Sequence, residues 1–254
     1  MRLITGHRPL SPMRTRVIAI LLIAASAVGY GIHYAVFRDS HHIFLYLIGD
    51  IAFLPIEVLL VTIVIDRMLS AREARERRYK MNMVIGAFYS EVGHRLLELM
   101  GGMTSDRDAI GENAGVAPSW GDARIRKAIE WTHGRKFAVA ATRAQFLDLQ
   151  AHLAEKREFM VRLLENPMLL EHESFTDLLW AVFHLEDELS YREDVEACPD
   201  ADLAHLCADA ERAYTALITQ WLEYMIHLRS DYPFLFSLAA RMNPLRPGAR
   251  AEIG

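Results

Sequence analysis

The 254 residues carry a net charge of -5 and are 52% hydrophobic, enough chain for one or two domains. Residues 1–80 hold 11 Lys/Arg against 6 Asp/Glu, so the remainder is strongly acidic, which argues against nucleic acid as a partner of the distal part. Two cysteines, Cys198 and Cys207, exclude a disulfide framework.

A basic segment, residues 1–16, comes first, with Arg2, Arg8, Arg14 and Arg16. Residues 17–37 then run without Asp, Glu, Lys or Arg, and residues 43–65 are apolar but for Asp50 and Glu57. Each run meets the ~20 residues needed to cross a ~30 Å hydrocarbon layer. Only Arg38-Asp39-Ser40-His41-His42 separates them, which predicts an antiparallel transmembrane hairpin over residues 17–65. Positive charge sets its orientation. Basic residues precede the first span and follow the second, so both termini are expected in the cytoplasm and the chain in the inner (plasma) membrane. A cleaved signal peptide ending at Ala25-Ser26-Ala27 is the rival reading, but the apolar run continues ten residues further.

Within the hairpin, Asp50 and Glu57 lie seven apart on one helix face. A carboxylate at mid-span costs about 2.5–3.5 kcal/mol and is expected to face protein or water. Ser26, Tyr30 and His33 share a face of the first span, with Tyr30 level with Asp50 and His33 a turn nearer the loop. Asp50 therefore has neighbours within one chain, and Glu57 is left for a contact between copies or a hydrated path. Pro55 frees the carbonyl of Ile51 and predicts a kink. Beyond the second span, Arg72, Arg75, Arg77, Arg78 and Lys80 suit anionic lipid headgroups, with Glu73 and Glu76 interspersed.

Residues 66–100 read as one helix continuing from the second span, closed by Gly101-Gly102. A Gly-rich loop is expected over 101–121 and a cytoplasmic helical bundle over 122–242. The bundle comprises a short helix at 122–132, a helix at 142–165 stopped by Asn166-Pro167, and one from Ser174, where Ser174-x-x-Asp177 resembles a capping box. A helix at 201–230 and a short one at 234–242 follow. The stripe Leu203, Cys207, Ala210, Tyr214, Leu217, Trp221, Tyr224, Leu228 steps by four and three, as bundle packing or a subunit seam requires. The tail, 243–254, is expected to be disordered.

Two Glu-x-x-His pairs, Glu91/His94 and Glu130/His133, have the spacing of carboxylate-bridged metal bundles. The first faces away from its helix's apolar stripe and the second sits on a short segment, so no metal and no cofactor is expected. Asp177, His184 and Glu188 stack opposite the apolar stripe Phe175–Leu189 and read as a solvated face. No nucleophile elbow, phosphate-binding Gly loop or zinc signature is present, and no catalytic residue is assigned.

The stretches IGDIAFLPIEVLLVTIVIDRMLS, MNMVIGAFYSEVG and HLRSDYPFLFSLAARMNP together resemble an uncharacterised family of prokaryotic membrane proteins with two spans and a cytoplasmic helical domain. The resemblance covers about residues 43–244 and carries no assigned activity. The expectation is an all-α, non-enzymatic membrane protein in the lipid bilayer. It self-assembles as a homo-oligomer and offers a helical domain for regulation or a cytoplasmic protein partner. The alternatives are an oligomeric cation channel or proton pathway lined by Asp50 and Glu57, and a metal-binding helical-bundle enzyme.

Overall fold

A computed structural model describes residues 12–167, 169, 172–246 and 248–252. Arg2 and Arg8 of the basic segment lie outside these residues. The described chain is helical, with one isolated antiparallel bridge, Thr104 to Val139. It divides into two units, Met1–Arg72 and Glu73–Gly254.

The first unit holds helix α1, Pro12–Phe37, and most of α2, Ser40–Phe88. Their connection is shorter than the sequence suggests: only Arg38 and Asp39 are non-helical. Arg38 turns the chain at φ +50°, and Asp39 caps α2, its Oδ1 accepting from the His42 amide at 3.2 Å. Helix α2 continues through Pro55. The two helices are long and apolar enough to cross a membrane, and their most apolar stretches leave no residue buried.

The second unit begins inside α2, whose last turns bury Ile85 and Phe88. A five-residue π-turn, Tyr89–Gly93, follows, then α3, His94–Gly101. Gly93 is required here: a Cβ would lie 2.5 Å from the Tyr89 ring. The remaining helices are α4 Arg107–Ala114, α5 Asp122–Thr132, α6 Arg143–Leu164, α7 Glu173–Ser190, α8 Asp200–Asp231 and α9 Pro233–Arg241. Thr142 and Gln145 form a reciprocal capping box at the start of α6.

Helix α8 is the axis of this domain, packing against α5, α7 and α9. The four-three stripe lies against the domain's own core, with Ala210, Tyr214, Leu217, Trp221 and Leu228 buried. Trp221, Tyr89, Phe88 and Phe175 form its aromatic centre, and the Tyr89 hydroxyl donates to the Leu217 carbonyl at 2.9 Å. Helices α7 and α8 run antiparallel. Gln220 meets Ser174, His184 meets Asp209 and Glu188 faces His205, each step down one helix matching a step up the other, and Arg192, two residues past the end of α7, meets Asp202.

Several expectations are corrected. Residues 101–121 are not simply a loop: α4 occupies their middle, and Met103, Ile110, Ala114, Val116 and Trp120 enter the core. The domain therefore starts well before residue 122. Helix α7 is capped by His172 rather than Ser174; the ring Nδ1 of His172 accepts from the Phe175 amide at 3.2 Å. The helix ends at Ser190, before Cys198-Pro199. The tail is anchored. Asn243 is 0% exposed, accepts at Oδ1 from Trp221 Nε1 at 3.2 Å and from the Leu245 amide at 3.1 Å, and donates to the Val116 carbonyl at 3.1 Å. Leu245 is buried beside it.

Candidate functional site

The sequence singles out four clusters of polar side chains, and the structure treats each differently. In the hairpin, Tyr30, His33, His42, Tyr46 and Asp50 line one hollow of about 280 Å³. The rings of His33 and His42 stack with centroids 6.0 Å apart, and His33 also packs on Phe37 at 4.7 Å. This brings together Tyr30, His33 and Asp50. Ser26 and Glu57 are not part of it, and Glu57 is exposed on α2. The Nδ1 atom of His33 is buried without a hydrogen-bond partner.

The basic run lies on exposed turns of α2. Arg75 and Arg78 border a hollow that also contains Glu223 and Asp231 of α8, so these two cations face acids of their own domain as well as solvent. Arg72 belongs to the first unit, Arg77 has an interaction partner, and Lys80 is exposed.

The two Glu-x-x-His pairs are not brought together. His94 is half-buried rather than water-facing: its ring meets Trp221 edge-on at 5.2 Å, and Nε2 donates to the Met242 carbonyl at 2.9 Å. Glu91 pairs with Lys156 at 3.5 Å. Glu130 and His133 are both exposed, and His133 borders a cleft of about 520 Å³ with Arg135, Lys136, Asp177, Arg212 and Gln220.

The polar face of α7 is the larger surprise. His184 and Glu188 do not simply face water; they meet His205 and Asp209 of α8. Asp209 is 2% exposed, with Oδ2 3.3 Å from His184 Nε2 and 3.4 Å from His205 Nε2. Glu188 lies 4.0 Å from His184 Nε2 and 3.8 Å from His205 Nε2. Two arginines brace the carboxylates. Arg192 donates to Glu188 at 2.8 Å and to both oxygens of Asp202 at 2.6 and 2.7 Å, while Arg212 Nη1 is 3.3 Å from Asp209 Oδ1. The Arg192 guanidinium pulls the Asp202 carboxyl down to about 2 and lowers that of Glu188. His-x-x-x-Glu on α7 and His-x-x-x-Asp on α8 were the sequence signal, readable only with the antiparallel register.

The chain matches two family descriptions. Residues 12–69 match "MJ1433, N-terminal helical domain" and residues 77–241 match "Uncharacterized protein MJ1433, C-terminal helical domain". The boundary between them brackets the division of the structure at Arg72 and Glu73. A relative in Methanocaldococcus jannaschii, Uncharacterized protein MJ1433, is 41% identical over 228 residues, spanning 90% of this chain and 92% of the relative. No solved structure matches. With both domains matched in order and nearly the full length aligned, the chain belongs to the MJ1433 family of uncharacterised proteins with two helical domains.

Proposed function

We propose that this protein is a membrane-anchored helical binding domain: α1 and the apolar part of α2 cross the bilayer, and the domain after Arg72 works in the cytoplasm. The observation that carries this reading is the contrast in burial. The apolar windows of the first unit have 0% of their residues buried, whereas the second unit closes a continuous core of its own. Apolar surface on that scale, far beyond the few hundred Å² a soluble monomer exposes, calls for lipid or protein around it. Arginines ahead of the apolar run of α1 and after that of α2 orient both ends inward. Asp50 and Glu57 are exposed acids in an apolar stretch, and contact with a second copy would shield them from lipid.

The test is fractionation and topology together. The expected protein stays in the membrane pellet after alkaline carbonate extraction, and a C-terminal cysteine tag is unlabelled by an impermeant maleimide in intact cells. A soluble, monodisperse protein made without detergent, or a labelled tag, refutes it. A second reading, a cation or proton pathway, rests on the hollow lined by His33, His42 and Asp50 with Glu57 one face-repeat along. Proteoliposomes that pass no ions with either wild type or Glu57→Gln remove it.

A further inference from the structure

We infer that the α7–α8 contact is a binding site for a divalent transition-metal ion, with His184, Glu188 and Asp209 as ligands and His205 as a fourth donor. The inference goes beyond membrane anchoring and does not depend on it. It begins with Asp209. A carboxylate that is 98% removed from solvent needs partners, because burying an unpaired charge is costly. Its Oδ1 has Arg212 nearby, but Oδ2 makes no hydrogen bond. Two imidazole nitrogens stand 3.3 and 3.4 Å from that oxygen, and neither ring N–H is aligned to donate to it. Nitrogen and oxygen atoms this close without bonding one another suit lone pairs that converge on a shared point.

The distances suit a metal at that point. With metal–nitrogen and metal–oxygen bonds of about 2.0–2.1 Å, neighbouring ligand atoms of a tetrahedral site lie about 3.3–3.4 Å apart. His184 Nε2 and Asp209 Oδ2 already have this spacing. One ligand atom each from His184, Glu188 and Asp209 lies within 4.8 Å of the others. Glu188 Oε1, 4.0 Å from His184 Nε2, must close by about 0.6 Å to reach that spacing, a rotation open to its partly exposed side chain while Arg192 holds the other oxygen. His205, 53% exposed, can swing its ring toward the same point. Imidazole with carboxylate selects borderline divalent ions of the zinc class over calcium or magnesium, which take oxygen sets. Arg192 on Glu188 and Arg212 on Asp209 are the outer contacts that orient the ligating carboxylates.

The ligand spacing explains the pattern on both helices. His184 and Glu188 are one turn apart on α7, His205 and Asp209 one turn apart on α8, and the antiparallel register brings the two pairs face to face.

The experiment uses the full chain, untagged, in detergent, stripped with a chelator and titrated with Zn²⁺ by calorimetry, with Co²⁺ absorption as a second readout. Wild type is expected to take up one Zn²⁺ per chain and to give a visible Co²⁺ ligand-field spectrum. His184→Gln and Asp209→Asn are expected to weaken Zn²⁺ at least tenfold, His205→Gln by less, and His133→Gln not at all. Because His184 and His205 are half-exposed, their variants keep the fold even where Asp209→Asn does not, and circular dichroism checks this. Zn²⁺ uptake and a Co²⁺ spectrum unchanged in the folded His184→Gln/His205→Gln double variant, or no uptake by wild type, overturns the assignment.

Discussion

Replacing Asn243 by alanine tests whether the C-terminal segment is part of the domain. The side chain holds three groups: it accepts from Trp221 Nε1 and the Leu245 amide and donates to the Val116 carbonyl. Each neutral hydrogen bond contributes about 1 kcal/mol net, and a buried donor left unpaired costs about 1–3 kcal/mol. Asn243→Ala strands the buried indole N–H and should destabilise the domain by about 3 kcal/mol. For a domain of this size that corresponds to a fall in Tm of about 6–12 °C. All four tryptophans, Trp120, Trp131, Trp180 and Trp221, lie in the second unit, so urea unfolding followed by tryptophan fluorescence reports this domain without the hairpin. A double-mutant cycle with Trp221→Phe, which removes the indole donor, should return a coupling of about 1–2 kcal/mol. An Asn243→Ala variant within 0.5 kcal/mol of wild type would falsify the claim that this residue anchors the tail.

Other consequences are open to direct measurement. Gly93→Ala places a methyl 2.5 Å from Tyr89 and 3.0 Å from Phe88, both buried, and should cost about 1–3 kcal/mol in the same urea assay; an unchanged midpoint counts against the packing described. Arg157 pairs with buried Glu186 and with Asp187 at 2.8 Å, so Arg157→Met should destabilise by about 3 kcal/mol. The loss should shrink when Glu186→Gln is made first, and an equal loss in both backgrounds excludes the pairing. Asp202 sits below its unfolded value because of Arg192, so its contribution is complete above about pH 4 and is lost as pH falls through about 2. Asp202→Asn should flatten acid unfolding between those limits; an unaltered profile means the pair does not matter to folding.

The helices were legible because their signals are local. The 122–132 and 142–165 segments carry breakers and caps at their ends, and the structure places α5 and α6 there. Residues 101–121 were not legible, because Gly111 and Gly115 interrupt a pattern whose apolar positions, Ile110 and Ala114, number too few for a periodic signal. The tail differs from its sequence expectation for a related reason: Pro and Arg suggest disorder, while Asn243 is held by groups more than twenty residues away. The His184–Asp209 cluster is a property of register between two helices. Amphipathic analysis of α7 alone assigns those residues to solvent, since it cannot see that α8 covers part of that face.

The π-turn at Tyr89–Gly93 makes length, rather than composition, the quantity that this part of the chain must preserve. A π-turn holds one residue more than the α-helical turn it replaces, and one residue is worth about 100° of rotation. Deleting Ser90 would let the backbone heal into an uninterrupted α-helix while swinging the buried Phe88 ring away from Phe175 of α7. Tolerance to substitution on the exposed side of that segment should therefore coexist with intolerance to single-residue insertion or deletion.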